Sequence, residues 1–168
     1  MKSVVEREHN HEANTTDKSA FHKAGTRLLL TMIYESRKPA LWCQVSGYVL
    51  DRGTKLDLTG QHISPVEQHA LEYVLPQTRL TSLNLSSCGL KSGKETTTLL
   101  AAIGDLARLT ELSLTNNPGL LHGVSLSFFA KLTMLEELDL SNCGLDDSDV
   151  DELVVNVNVN SISRLEVL

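Results

Sequence analysis

A leucine phrase that recurs along the chain constrains the fold more than any other feature. The spacing L-x-x-L-x-L, followed by two residues and then Cys or Asn, occurs three times after a shorter first copy in a sequence of 168 residues. Leucines two apart in an extended segment point to the same side, so each copy has an apolar side that only a stacked neighbour can cover. The phrase therefore predicts an α/β solenoid with parallel strands on its concave face and helices on its convex face. The copies are Leu56–Leu58, Leu80–Leu90, Leu109–Asn117 and Leu135–Leu145.

The distance between equivalent leucines indicates how much structure each copy holds. The equivalent leucines are taken as Leu56, Leu83, Leu112, Leu138 and Leu168, which gives spacings of 27, 29, 26 and 30 residues. Each spacing accommodates a short strand, a turn and a helix of about two to three turns. Ser64-Pro65-Val66-Glu67 has the pattern of a capping box at the start of the first helix. The apolar or buried positions at helical spacing are Val66, Ala70, Leu71, Val74 and Leu75; Thr98, Leu99, Ala102, Ile103 and Leu106; Leu126, Phe129 and Leu132; and Val150, Leu153, Val154 and Val157.

Two of the cysteines occupy a repeated position in the phrase. Cys88 and Cys143 stand where the third copy has Asn117, at a turn where an inward side chain can bond to backbone groups of the adjacent loop. A buried thiol in apolar surroundings is inert, so we interpret both cysteines as structural. Cys43, next to Trp42, is interpreted as a core residue of an N-terminal helix.

The cysteine count and the hydropathy of the chain point to one compartment. Three cysteines, an odd number, favour a reducing environment. No apolar run approaches the roughly 18 residues of a membrane span, and the N-terminus lacks the basic-then-apolar order of a secretory signal. We therefore expect a cytoplasmic protein that does not associate with membranes.

Charge is divided unevenly along the chain. Residues 1–52 hold eight Lys or Arg against six Asp or Glu, whereas residues 53–168 hold seven against fifteen, a net charge of −8. An acidic surface without a basic stripe repels a phosphate backbone, which excludes nucleic acid as a direct ligand. The expected partner is another protein with a basic surface.

The residues that flank the strand leucines are the candidate binding residues. They alternate with the leucines, so they point away from the core and line up from copy to copy. The candidates are Lys55, Asp57, Thr59, Ser82, Asn84, Ser86, Glu111, Ser113, Thr115, Glu137, Asp139 and Ser141. The set contains no Trp, Tyr or Arg, the usual interface anchors, so each contact is expected to be modest. The alternative is that these residues form only a solvated face.

Three parts of the chain are expected. Residues 1–18 contain few large apolar groups and are predicted to be a disordered tail, in which His9-x-His11 lacks the further ligands of a metal site. Residues 19–52 carry apolar residues at helical spacing and are predicted to be a helical cap or the end of a preceding helical domain. Residues 53–168 hold about four repeats and a truncated fifth, which predicts that the chain is a fragment, an incomplete gene model or a truncated isoform.

The sequence does not indicate a catalytic, cofactor or metal site. His62, His69 and His122 are not predicted to lie near a Ser or Cys with a supporting acid. The phosphate-loop pattern G-x-x-x-x-G-K-[ST] does not occur. The acids from Asp146 to Glu152 suit the start of a helix and lack the residue order of a calcium loop. We therefore predict a protein that is not an enzyme and holds no cofactor or metal.

Two stretches of the chain resemble known families. LTSLNLSSCGL at 80–90 and LEELDLSNCGL at 135–145 resemble the ribonuclease-inhibitor-like class of leucine-rich repeat. RLLLTMIYESRKPAL and KLDLTGQHISPVEQHALEYVL, between Arg27 and Leu75, are similar to the junction between the helical domain and the repeats in NOD-like receptors, the intracellular sensors of innate immunity and cell death. The resemblance implies a regulatory, ligand-sensing module of a signalling receptor that binds protein partners on its concave face.

Two other functions stay open on the sequence. A free-standing scaffold or inhibitor resembling ribonuclease inhibitor would continue downstream through more repeats without a nucleotide-binding domain. A solenoid resembling the Ran regulator would accelerate GTP hydrolysis by a small GTPase, and no residue of this sequence demonstrates that activity.

Overall fold

The computed structural model of the protein describes residues 54–157 and 164–166. The predicted tail at 1–18 and the predicted cap at 19–52 lie outside the described residues, as do Cys43 and the His9-x-His11 pair. Within the described residues, no helix has both the length and the apolar character needed to cross a membrane.

Five short strands form one parallel sheet in the order of the sequence. They are β1 Lys55–Asp57, β2 Ser82–Asn84, β3 Glu111–Ser113, β4 Glu137–Asp139 and β5 Arg164–Glu166. The central leucine of each strand pairs with the central leucine of the next, from Leu56 in β1 to Leu165 in β5. Parallel neighbours in chain order require a crossover between every pair of strands, which is the predicted strand and crossover arrangement.

The fifth strand corrects the predicted register. Leu165, and not Leu168, pairs with Leu138, so the last spacing is 27 residues instead of 30. The pairing continues past the strand, since the Leu140 N–H donates to the Glu166 carbonyl at 2.7 Å. A slip by an odd number of residues exchanges the two faces of a strand. Placing Leu168 at this position was wrong, because Leu165 pairs with Leu138 and Arg164 and Glu166 therefore take the two flanking positions.

Within residues 54–157, three α-helices and two 3₁₀ helices connect the strands. They are α1 Pro65–Val74, the 3₁₀ helix Leu75–Gln77, α2 Lys94–Gly104, the 3₁₀ helix Ser127–Lys131 and α3 Asp147–Asn156. α1 packs on α2, and the second 3₁₀ helix contacts both α2 and α3. The crossovers therefore pack on one another in chain order, as the strands do.

Two helices begin as the sequence predicts. The Glu67 carboxylate at the start of α1 accepts from the backbone N–H and the hydroxyl of Ser64, both at 2.6 Å. At the start of α3, Asp146 Oδ1 accepts from the N–H groups of Ser148 at 2.9 Å and Asp149 at 3.0 Å. The first N–H groups of a helix have no partner inside it, so these carboxylates stabilise the helix ends. The predicted capping box and the predicted acidic cap are both confirmed.

The third crossover carries a shorter helix, as its shorter apolar stripe predicts, but this helix is of the 3₁₀ type. It carries a 3₁₀ helix of five residues, Ser127–Lys131. Successive turns occupy the start of this crossover, with the Leu120 N–H donating to the Asn117 carbonyl and the Val124 N–H to the Leu121 carbonyl, so the helical segment begins only at Ser127. Because β4 begins at Glu137, only a short helical turn fits. The predicted apolar residues of this crossover are nevertheless in the core: Leu126, Phe129 and Leu132.

Leucine fills most of the core. The central leucines of the first four strands are 1 to 5% exposed, and burying a leucine contributes about 1.5–3 kcal/mol relative to leaving it in water. Three valines predicted for the helical stripes are exposed instead: Val66 by 56%, Val150 by 37% and Val154 by 54%. Thr98 is half-buried. Periodicity gives the width of an apolar stripe, whereas the packing of neighbouring crossovers decides which of its edges is covered.

The predicted inward side chains form a ladder between neighbouring copies. Each ladder residue donates to the carbonyl of the leucine that directly follows the strand of the preceding copy. The contacts are Cys88 Sγ to Leu58 O at 3.1 Å, Asn117 Nδ2 to Leu85 O at 2.9 Å and Cys143 Sγ to Leu114 O at 3.0 Å. All three side chains are buried, which confirms their predicted structural position.

The two ladder thiols make stability depend on alkaline pH. Burial raises the pKa of Cys88 from 9.0 to about 12 and that of Cys143 from 9.0 to about 11. Above pH 9 the unfolded chain loses the thiol protons, whereas the folded protein keeps them. The contribution of the protonated thiols to the free energy of unfolding is therefore fully present below pH 9 and is lost as pH rises toward the folded pKa values. We expect the free energy of unfolding to fall by up to about 1.4 kcal/mol per pH unit for each thiol.

Urea unfolding measured between about pH 8 and about pH 11 tests this pH dependence. Lysine and tyrosine titrate in the same range, so the comparison is with the variant Cys88→Ser/Cys143→Ser, which keeps every other titrating group. The variant should show a shallower decline with pH. Equal slopes in the two proteins would contradict the assignment of the decline to the buried thiols.

Candidate binding surface

The side of the sheet away from the leucine core carries three rows of side chains and is called the open face below. The first row precedes the central leucines, the second follows them, and the third lies at the strand ends. The rows are Lys55, Ser82, Glu111, Glu137 and Arg164; Asp57, Asn84, Ser113, Asp139 and Glu166; and Thr59, Ser86, Thr115 and Ser141. The parallel register places all twelve predicted residues in these rows.

Three residues of the second row bond back to their own strand ends. In each case a side-chain Oδ1 accepts from the N–H two residues later in the chain. The bonds are from Thr59 N–H to Asp57 at 2.9 Å, from Ser86 N–H to Asn84 at 3.0 Å and from Ser141 N–H to Asp139 at 3.0 Å. These side chains end the strands by closing local turns. Substituting them would therefore change folding as well as surface charge.

The third row is used mainly within the protein. Ser86 is 6% exposed, and its Oγ lies 2.8 Å from Ser113 Oγ in the next copy. Thr115 Oγ1 donates to the Ser141 carbonyl at 2.9 Å. These hydroxyls join neighbouring copies, so the first and second rows form the part of the open face that is best placed to contact a partner.

The open face carries two salt bridges, one between strands and one within a strand. Lys55 Nζ lies 3.4 Å from the Glu111 carboxylate, although β2 separates their strands. Arg164 Nε donates to Glu166 Oε1 at 2.7 Å within β5. A hydrogen bond from Ser82, followed by Lys55, lowers the pKa of Glu111, so this carboxylate stays ionised to lower pH. Exposed pairs of this kind contribute little to stability, so their main effect is on surface charge.

A shallow groove of about 200 Å³ runs across β2, β3, β4 and β5. Its lining includes four carboxylates and one guanidinium, a net charge of −3. Six of the twelve predicted residues line it, and Arg164 and Glu166 complete it. The charged lining residues are Glu111, Glu137, Asp139, Arg164 and Glu166. The predicted residues of β1 and of the third row lie outside this groove.

The sequence prediction missed Arg164 and Glu166 because it placed the fifth strand in the wrong register. The signal was present, since Ile162-x-x-Leu165-x-Val167 fits the repeat phrase with branched residues in its first and third apolar positions. In that register Arg164 and Glu166 flank the central leucine. The open face therefore includes an arginine, one of the usual interface anchors.

The groove has no metal-binding arrangement among its residues. In the part of the chain that the structure describes, no group of three or more His, Cys, Asp or Glu is placed to hold a metal ion. What the groove does present is a set of carboxylates and hydroxyls in register, which can accept hydrogen bonds and attract cationic side chains.

Comparison with known proteins agrees with the repeat observed in the sheet. A family model described as Leucine Rich Repeat matches residues 79–106 and 134–165, which begin just before β2 and β4. No curated protein and no solved structure matches the chain. Leucine-rich repeats generally mediate protein–protein interactions and are typically non-catalytic binding scaffolds. The strands, crossovers and ladder repeat in step with these two matches, so the chain contains leucine-rich repeats.

Proposed function

We propose that this protein is a recognition module that binds another protein on the open face of its sheet, without catalysis, and that the partner presents a basic surface there. The observation that carries the proposal is the groove across β2 to β5, whose lining has a net charge of −3. A surface with one predominant charge attracts a partner of opposite charge and speeds their encounter. The solvated-face alternative predicts that changing these charges has no effect on any partner.

The double variant Glu111→Lys/Glu137→Lys tests the proposal. Both residues belong to the first row and neither closes a strand-end turn, so their reversal changes the open face more than the fold. With each reversed contact costing on the order of 1 kcal/mol, the Kd for a partner isolated with the wild-type chain should rise about 30-fold. Isothermal titration with the purified partner would measure this change.

The matched control is Asp147→Lys/Asp151→Lys. These acids are exposed on α3, and reversing them changes the net charge of the protein by the same amount. The control should bind the partner nearly as the wild type does. Equal losses in the two variants would show that net charge, and not the open face, governs binding, and circular dichroism would confirm that each variant is folded.

We further propose that the module is the regulatory, ligand-sensing repeat region of a NOD-like receptor that acts in innate immune signalling in the cytoplasm. Support comes from the leucine-rich repeats together with the resemblance of the Arg27 to Leu75 stretch to the junction of that family. Sequencing the transcript across both ends of the reading frame tests it. A phosphate-loop domain encoded upstream is expected. Further repeats downstream without that domain would favour a free-standing scaffold or inhibitor resembling ribonuclease inhibitor.

A further inference from the structure

The open face is not uniformly acidic, because two of its residues are cations with fixed partners. Lys55 reaches across β2 to Glu111, with the ammonium 3.4 Å from the carboxylate. Arg164 is held against Glu166 within β5. All four side chains are more than 40% exposed, so both cations are accessible to a molecule that docks on this face.

Between these two pairs, β4 carries two neighbouring carboxylates. Glu137 follows Glu111 in the first row and precedes Arg164, and Asp139 stands beside it in the second row. Within residues 54–157 and 164–166, neither carboxylate forms a salt bridge with Lys or Arg. Arg164 attracts both of them as well as Glu166, so one guanidinium is shared by three carboxylates. The excess negative charge of the groove therefore lies around β4, with a cation on each side.

We propose that Lys55 and Arg164 determine partner specificity by restricting the docked segment to one of mixed charge. One basic side chain of the partner lies opposite Glu137 and Asp139, and acidic or neutral side chains lie on both sides of it. This inference rests on the proposed function, since it describes what the open face selects. The two cations disfavour a continuous run of basic residues.

The physical reason is the arrangement of like charges. A polybasic segment would bring its flanking cations against Lys55 and Arg164, or would have to break the salt bridges that hold them. Like charges brought together at an interface suppress wrong partners, and specificity commonly relies on such repulsion. An exposed pair is worth up to about 1 kcal/mol, so each cation can disfavour the polybasic segment by up to about fivefold.

Strand spacing fixes the pattern that a partner must match. Neighbouring strands lie about 4.8 Å apart, so the two cations stand on the order of 5–10 Å from the β4 carboxylates. An extended chain covers about 3.3 Å per residue, which places the flanking acids about two to three positions from the central basic residue. A suitable probe has Glu, two Ser, Arg, two Ser and Glu in order. The polybasic probe has Lys in place of both Glu residues.

Fluorescence anisotropy with the full chain compares the binding of the two labelled peptides. The salt concentration is about 0.15 M, because charges more than about 8 Å apart are then largely screened and nearby charges dominate the result. The mixed-charge peptide is expected to bind about fivefold more tightly than the polybasic one. In the variant Lys55→Glu/Arg164→Glu the preference should reverse. The matched control, Lys91→Glu/Lys94→Glu, has the same net charge. It alters exposed lysines just before α2 and at its first residue, and it should keep the wild-type preference.

The other outcomes contradict either the mixed-charge inference alone or the proposed function as well. Equal or tighter binding of the polybasic peptide to the wild type would overturn the mixed-charge inference alone, as would the same shift in both double variants. If neither peptide binds and Glu111→Lys/Glu137→Lys also leaves a natural partner bound, the open face is not the binding site. The proposed function then fails together with this inference.

Discussion

Asn117→Ala should lower the free energy of unfolding by about 3–5 kcal/mol, because it leaves the buried Leu85 carbonyl and the Leu90 N–H without a partner. Asn117 is 0% exposed. Its Nδ2 donates to the carbonyls of Leu85 at 2.9 Å and Leu114 at 2.6 Å, and its Oδ1 accepts from the Leu90 N–H at 3.1 Å. Each unpaired buried group costs about 1–3 kcal/mol. Urea denaturation followed by circular dichroism would measure the loss.

Asn117→Cys is the matched control for this variant. Cys88 and Cys143 occupy the same position in other copies and donate from sulfur to the preceding strand carbonyl. A thiol at 117 can replace that one bond but cannot accept from Leu90, so we expect about half of the destabilisation seen with alanine. Equal losses for Ala and Cys would contradict the ladder as the source of the stability, and so would a loss below about 1 kcal/mol for Ala.

Gly144→Ala should destabilise the protein by about 2–5 kcal/mol, because a side chain at 144 has no space. A Cβ at this position would lie 2.8 Å from both the Cα and the N of Gly119 in the preceding copy. Both atoms belong to the backbone, so no side-chain rotation relieves the contact. The φ of +82° adds the cost of a left-handed conformation, about 1–2 kcal/mol for a residue with a side chain. Chemical denaturation gives the loss directly.

Gly60→Ala separates the two contributions at Gly144. Gly60 has a similar φ of +73°, and a Cβ built there meets no atom within 4 Å. Its substitution should cost only the conformational part, about 1–2 kcal/mol. The excess loss at Gly144 then measures how closely the loops of the third and fourth copies approach. If the two variants lose the same stability, the close approach to Gly119 is not a packing constraint.

The repeat itself was predictable because its signals are local and strongly periodic. The alternation around Leu83, Leu112 and Leu138 set the strands, and the ladder positions followed from their fixed offset to these leucines. The capping acids of α1 and α3 were equally local, since a cap bonds to N–H groups two or three residues away. Such features depend on few neighbours, so a sequence pattern is sufficient to predict them.

The prediction errors concern features that depend on contacts between distant parts of the chain. Leu165 and Leu168 both fit a leucine position, and only pairing with Leu138 decides between them. Val150 and Val154 fit a helical stripe, yet they are exposed by 37% and 54%. Burial depends on which elements lie beside the helix, and spacing along the chain does not report that.

The candidate site likewise combines features that were predicted with features that were not. Its rows were predicted, but the third row turned out to bond within the protein, and Asp139 also closes a strand end. Arg164 and Glu166 joined the groove through the corrected register. That these outward residues bind a partner stays a prediction.

The sequence alone determined which residues point into the core and which point away, because alternation in a strand is a property of consecutive residues. Tertiary structure decided what each outward residue meets. Lys55 pairs with Glu111 across 56 positions of the chain, with β2 between their strands. Electrostatic interactions act through space and not along the sequence. The charge pattern of the open face therefore exists only once the copies are stacked.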